Sequence, residues 1–281
     1  MSDPNAVPPL KPLTESAAAL PMSRPTYRSY LPLLPLILLL VGLALGFVHV
    51  IGLLIGLAFI GWTLYGEARL PWLLWWPLCA LFSVALAIHI LPGSEIWTLW
   101  PSRQLTPDAP AYALRISWDK LLAGYTLLVW WLRQQPAGAR EDTSADAALL
   151  VSVMTLFAVP LLAMTCGLVV WKPKWPDGLW IWMLVNLTVI ALTEEAFFRG
   201  LLQSSLVRRL GAPTGIGITS LLFGAVHLGF SPLFALVSVF AGLGYGLAFH
   251  FSRRLWVPIV LHAAVNTIHL LLWSYPLHLG A

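Results

Sequence analysis

The sequence predicts an all-α protein, a polytopic membrane helix bundle of about eight or nine transmembrane helices. Three observations carry that prediction. Hydrophobic residues make up 59% of the 281-residue chain and charged residues only 10%, where a soluble domain carries about 25% charged. Mean hydropathy is +0.81. The apolar residues also gather into runs close to the ~20 residues that cross a bilayer. A soluble fold of this size has too little interior to hide so much apolar surface, so the outside must face lipid. The composition excludes a soluble enzyme, a disordered chain and a nucleic-acid-binding module. The formal net charge of +4 is accounted for by membrane orientation, and no nucleic-acid partner is expected.

Residues 1–30 differ from the rest. Pro4, Pro8, Pro9, Pro12, Pro21 and Pro25, with scattered Ser, Asn and Lys, predict a disordered, proline-rich tail. The apolar run begins at Leu31 and continues to Tyr65, so an uncleaved anchor is expected in place of a signal peptide. At about 35 residues the run is too long for one span, and two short helices near 31–47 and 49–66 fit it better. Gly42/Gly46 and Gly52/Gly56 have the small-residue spacing that lets helices approach closely. Further spans are expected at 71–91, 117–132 (the weakest), 146–171, 178–200, 213–229, 232–251 and 255–274, with prolines at the joins. Residues 31–144 form an N-terminal transmembrane region and 145–275 a catalytic one. Tryptophans cluster at the joins, as in Trp171/Trp175/Trp180, which reads as an interfacial aromatic belt. Cys79 and Cys166 lie inside apolar runs and read as inert packing residues.

Orientation follows from the basic residues. With nine spans, Lys11, Arg24, Arg28, Arg69, Arg133, Arg140, Arg208, Arg209, Arg253 and Arg254 fall on the N-terminal side. Arg103, Arg115, Lys120, Lys172 and Lys174 fall on the other. Ten against five predicts a cytoplasmic N-terminus for an integral, multi-pass protein of a plasma or inner membrane. If 117–132 does not cross, the orientation reverses.

One basic residue stands apart, and it has company. The stretch Leu192-Thr193-Glu194-Glu195-Ala196-Phe197-Phe198-Arg199-Gly200 places two carboxylates and a guanidinium at the end of an apolar helix. Each charge at bilayer depth costs about 2.5–3.5 kcal/mol, so intramembrane ionisable groups are functional candidates. Glu195 and Arg199 are i, i+4 neighbours in the favourable order. Glu194 lies about 100° around the helix from Glu195 and about 140° from Arg199. That spacing makes Glu195 the salt-bridge partner and leaves Glu194 as the free carboxylate, available as a general base. A packing network of all three is the alternative at this point. Phe223 and His227 lie four apart in a second apolar segment, and His262 shares a helix face with Asn266 in the last span. A carboxylate pair, a histidine and a His/Asn pair supply a base, a water-positioning partner and two oxyanion donors. His49, His89 and His269 read as satisfied interior histidines.

These three motifs, Glu194-Glu195-x-x-x-Arg199, Phe223-x-x-x-His227 and His262-x-x-x-Asn266, resemble those of the CPBP family. It comprises the type II CAAX prenyl endopeptidases and bacteriocin-processing enzymes, also called the Abi family. The resemblance covers roughly residues 145–275. It implies a glutamic-type intramembrane protease, in which Glu194 and His227 activate a water. His262 and Asn266 would then stabilise the oxyanion, with Glu195, Arg199 and Phe223 supporting the site. It implies a peptide or membrane-protein substrate beside the lipid bilayer, and no cofactor. Zinc held by His227, His262 and a glutamate is the alternative, although His-Glu-x-x-His is absent. A non-proteolytic scaffold or transporter-like protein that keeps the motifs is the competing function. Arg208/Arg209 and Arg253/Arg254 read as positive-inside determinants, with guidance of a carboxylate-ended substrate as the second possibility.

Overall fold

The computed structural model describes residues 27–135 and 143–279. The expected tail therefore lies outside the described residues except for 27–30, as does Arg140 of the charge count. Nine helices follow one another among the described residues. They are α1 (Leu33–Ala44), α2 (Val50–Tyr65), α3 (Trp72–Ala87), α4 (Trp118–Gln134), α5 (Ala145–Thr165), α6 (Leu179–Leu210), α7 (Ala212–Ala225), α8 (Pro232–Ser252) and α9 (Trp256–Leu272). Each coincides with a segment that the sequence marks as apolar.

Three helices, α5, α6 and α8, are long and apolar enough to cross a membrane. The apolar helices α1, α2, α3, α7 and α9 have 10–17 residues, and 17 residues rise only about 26 Å. By length and composition, three of the expected eight or nine spans are shown. Exposed apolar side chains on the outer faces, among them Leu54, Leu73, Phe157 and Leu161, fit a lipid surround. The three long helices make the protein a membrane protein.

The all-α expectation needs one correction. Residues 96–117, between the expected spans 71–91 and 117–132, form an antiparallel hairpin of β1 (Ile96–Arg103) and β2 (Tyr112–Ser117). Trp97 pairs with Ile116 and Thr98 with Arg115. The register then shifts twice before Arg103 meets Tyr112. Trp100 and Leu114 bury against Leu179, Trp182 and Leu270, so the hairpin caps one end of α6 and α9. Several tryptophans also depart from the belt expectation. Trp171, Trp175 and Trp180 are exposed, but Trp75, Trp100, Trp130 and Trp182 are buried. Trp75 and Trp62 exchange indole N–H bonds to each other's carbonyls, which satisfies two interior donors.

The weakest expected span turns out to be central. α4 packs against α1, α2, α3 and α6 and buries Leu122, Leu127, Val129 and Trp130 in the core shared by both halves. Two glycines let it come close. A Cβ at Gly124 would overlap Thr193 Oγ1, and one at Gly42 would overlap the Trp118 indole. The Gly42 stripe thus serves the contact with α4, where Trp118 Nε1 donates to Leu38 O at 2.9 Å. Close approach at Gly124 sets α4 directly beside the carboxylates of α6.

Candidate active site

α6 is not a regular helix. Asn186–Ala191 and Ala196–Gln203 are wound as π-helix on either side of a short α-helical turn, Leu192–Glu195. Wide turns of this kind frequently accompany functional sites. They bracket Glu194 and Glu195 and bring Ser204 Oγ onto the carbonyl of Arg199, at 2.8 Å.

Glu195 and Arg199 are fully buried and paired, with Arg199 Nε 3.0 Å from Oε2 and Nη1 3.1 Å from Oε1. Arg199 Nη2 also donates to Gly242 O at 2.9 Å. The faces of Phe223 and Tyr245 lie 4.8 and 5.4 Å from the guanidinium. A charge this deep survives only when paired and hydrogen-bonded, and Arg199 meets both conditions. His262 joins the pair, its Nδ1 donating to Glu195 Oε1 at 2.8 Å. That bond fixes the ring and leaves Nε2 pointing away from Glu195. Nε2 lies 4.0 Å from Glu194 Oε2. Tyr245 stacks on the His262 ring at 4.9 Å.

Glu194 is not the free carboxylate that helical spacing suggests. Lys120 Nζ, from α4, donates to its Oε1 at 3.1 Å. The Lys120 carbonyl in turn accepts from Thr193 Oγ1, also at 3.1 Å. The reason is tertiary: the partner sits on another helix, beyond the reach of any i, i+4 argument. Oε2 remains toward His262.

His227 lies just past the end of α7, in a turn instead of within the expected helix. Its Nδ1 donates to Phe223 O at 2.7 Å, so in the neutral ring Nε2 is an acceptor. The Phe223 ring sits edge-on to His262, 5.8 Å away. Phe223 thus touches Arg199, His227 and His262 together. Asn266 Nδ2 donates to Asn186 Oδ1 at 3.0 Å, and Asn186 Nδ2 donates to Ala263 O at 3.0 Å. Because Ala263 O can only accept, both amide orientations follow, and one Asn266 N–H is left to donate. Phe223, His227, Tyr245, His262, Asn266 and Trp273 line a cavity of about 80 Å³, which admits more than one water.

The seven residues singled out in the sequence therefore meet around one buried cluster and its cavity. Three contributors were missed. Asn186 and Tyr245 carried a weak signal, as polar side chains inside apolar runs; Lys120 carried none beyond its place in a poor span. Of the other histidines, His269 lines the same cavity, whereas His49 and His89 lie away from the cluster. His89 pairs with Asp119 at 2.8 Å and His269 contacts Ser274 O at 3.3 Å. His49 pairs with Glu95 at an exposed position, not in the interior. Among the described residues, no group of three or more His, Cys, Asp or Glu side chains is gathered so as to hold a metal ion.

The fold and site define a helical membrane protein with a buried carboxylate–histidine cluster facing a small polar-edged cavity. Residues 176–268, 93 of the 281, match the family model described as Type II CAAX prenyl endopeptidase Rce1-like. The matched segment contains all three motifs and agrees with the CPBP resemblance. Lys120 falls outside it. No curated protein and no solved structure gives a significant match to the chain.

Proposed function

We propose that the chain is an intramembrane endopeptidase that cleaves a peptide or membrane-protein substrate with a water activated by Glu194 and His227. The family match supports a CAAX-type protease role. The observation that carries the chemistry is the division of labour between the two glutamates. Glu195 is consumed by Arg199 and His262, whereas Glu194 keeps one oxygen beyond its contact with Lys120.

In this reading a water sits between Glu194 Oε2 and His227 Nε2. Glu194 takes its proton as the oxygen attacks the scissile carbonyl, then passes that proton to the leaving amine. The oxyanion is met by the remaining Asn266 N–H and by His262, whose ring Glu195 orients through Nδ1. Lys120 fixes the rotamer of Glu194 so that Oε2, not Oε1, faces the water. The reading needs no cofactor. The N-terminus is placed on the cytoplasmic side and the chain crosses the membrane several times, on the charge count above.

The test is cleavage by detergent-purified full-length protein, with a farnesylated CAAX peptide and an unmodified peptide of the same sequence as substrates. Glu194→Gln and His227→Ala should each abolish cleavage while the protein stays inserted and folded. Full activity in either variant would sink the water-activation assignment. Cleavage of both peptides alike would remove the prenyl group from the substrate definition.

A further inference from the structure

A second cavity, of about 250 Å³, lies where α4, α6 and α8 end together, apart from the site. Its walls include Arg208, Arg253, His250, Gln134, Ser204 and Gln203, and no acidic side chain is among its described lining. The two arginines differ from their neighbour. Arg209 lies over the Trp72 ring at 3.3 Å and donates to Ser205 O. Arg208 and Arg253 have no ion-pair partner among the described residues. Arg28 brings a third guanidinium to the rim, donating to the carbonyl of the wall residue Gln135.

Two details describe the walls. Gln203 is 2% exposed, and its Nε2 donates to Gly246 O at 2.8 Å. That bond orients the amide and closes Oε1 into the α6–α8 contact, against Gly246. Arg253 also holds a left-handed backbone, φ 55 and ψ 16, at the end of α8. Glycine takes that conformation freely and arginine does not. What arginine supplies there is its side chain, and strain of this kind gathers at ligand clamps.

We propose that this cavity binds a phosphate-bearing headgroup, taken from an anionic phospholipid of the surrounding leaflet. Arg208 and Arg253 engage the phosphate oxygens through their planar forks. The position favours lipid over solution as the source, because α6 and α8 are two of the membrane-length helices and the cavity opens at their ends. Basic pockets between spans are where acidic headgroups bind. Since Arg199–Gly242 and Gln203–Gly246 already tie α6 to α8, a bound headgroup would clamp the same two helices farther along, at Arg208 and Arg253. Binding does not depend on the protease reading.

The experiment titrates dioleoylphosphatidylglycerol, dioleoylphosphatidylcholine or inorganic phosphate into full-length protein in neutral detergent, reading the shift in Tm. Wild type should be stabilised by phosphatidylglycerol in preference to phosphatidylcholine. Arg208→Gln and Arg253→Gly should each weaken that response at least tenfold, and the glycine variant should keep or raise the lipid-free Tm because the backbone strain is relieved. Arg209→Gln removes the same charge from the same end and should leave the response unchanged. If inorganic phosphate reproduces the effect with the same sensitivity to the variants, the phosphate site stands and its ligand comes from solution. Equal loss in all three variants would mean diffuse attraction to a cationic face and would overturn the site, as would equal stabilisation by the two lipids.

Discussion

Lys120 and Glu194, 74 residues apart in sequence, meet at 3.1 Å, and each side chain is about one-fifth exposed. The contact joins the half of the chain that has no recognisable motif to the half that has three. In the proposed mechanism it also gives the first half a chemical task beyond anchoring.

Replacing Lys120 should therefore damage turnover more than folding. Lys120→Met keeps the apolar stem and loses the ammonium, so Glu194 is freed to rotate away from the water. A misplaced base commonly costs about 10²-fold. We expect kcat to fall by about that factor with KM little changed and Lys120→Arg partly restored. Unchanged kcat in Lys120→Met would remove Lys120 from the mechanism.

Arg199→Ala should reduce yield and thermal stability far more than Asn266→Ala. The first strands Glu195 in a site with no water contact, and breaking a buried pair costs about 3–5 kcal/mol. Asn266 is neutral and partly exposed, so its loss should mainly weaken transition-state binding, by about 3–4 kcal/mol. Equal melting temperatures for the two variants would contradict the structural weight given to the Glu195–Arg199 pair.

Metal content separates the proposed mechanism from its zinc alternative. Glu194 Oε1 is engaged by the Lys120 ammonium, and Nδ1 of His262 is engaged by Glu195. A zinc ion at His227, His262 and a glutamate would instead lower the pKa of its bound water to about 7 and do the activating itself. Active purified protein should contain far less than one zinc per chain and keep its activity after prolonged dialysis against a strong chelator. Stoichiometric zinc that tracks activity through removal and re-addition would overturn the glutamic mechanism.

Lys174 provides a stability test away from the spans. It lies in the connection between α5 and α6 and donates to the Trp273 carbonyl. Burial holds its pKa down to about 8, below the ordinary 10.5, with nearby Asp108 opposing part of the shift. Between those values the unfolded chain binds more protons than the folded one, so stability rises with pH across that window. Tm measured at pH 7.5 and pH 10 should increase more for wild type than for Lys174→Met, in which the linkage is gone. Parallel changes in the two proteins would show that Lys174 is not desolvated.

Much of this protein is set by sequence because the strongest terms are local or compositional. The positions of all nine helices follow from apolar runs broken by proline and glycine, since lipid tolerates little else. The Glu195–Arg199 pair follows from i, i+4 geometry alone, and three intramembrane motifs were enough to single out Glu194, His227, His262 and Asn266. What the tertiary structure decided involves partners on other segments. Helical spacing left Glu194 unpaired because Lys120 comes from α4, brought close where Gly124 offers no side chain against Thr193. Asn186 and Tyr245 gain their places only when α6, α8 and α9 pack together. The β1–β2 hairpin escaped because residues 96–117 lack a clean alternation, and its pairing depends on burying Trp100 and Leu114 against α6 and α9. Periodicity records what a segment does with its own backbone; a contact across 74 residues is settled only when the helices close on one another.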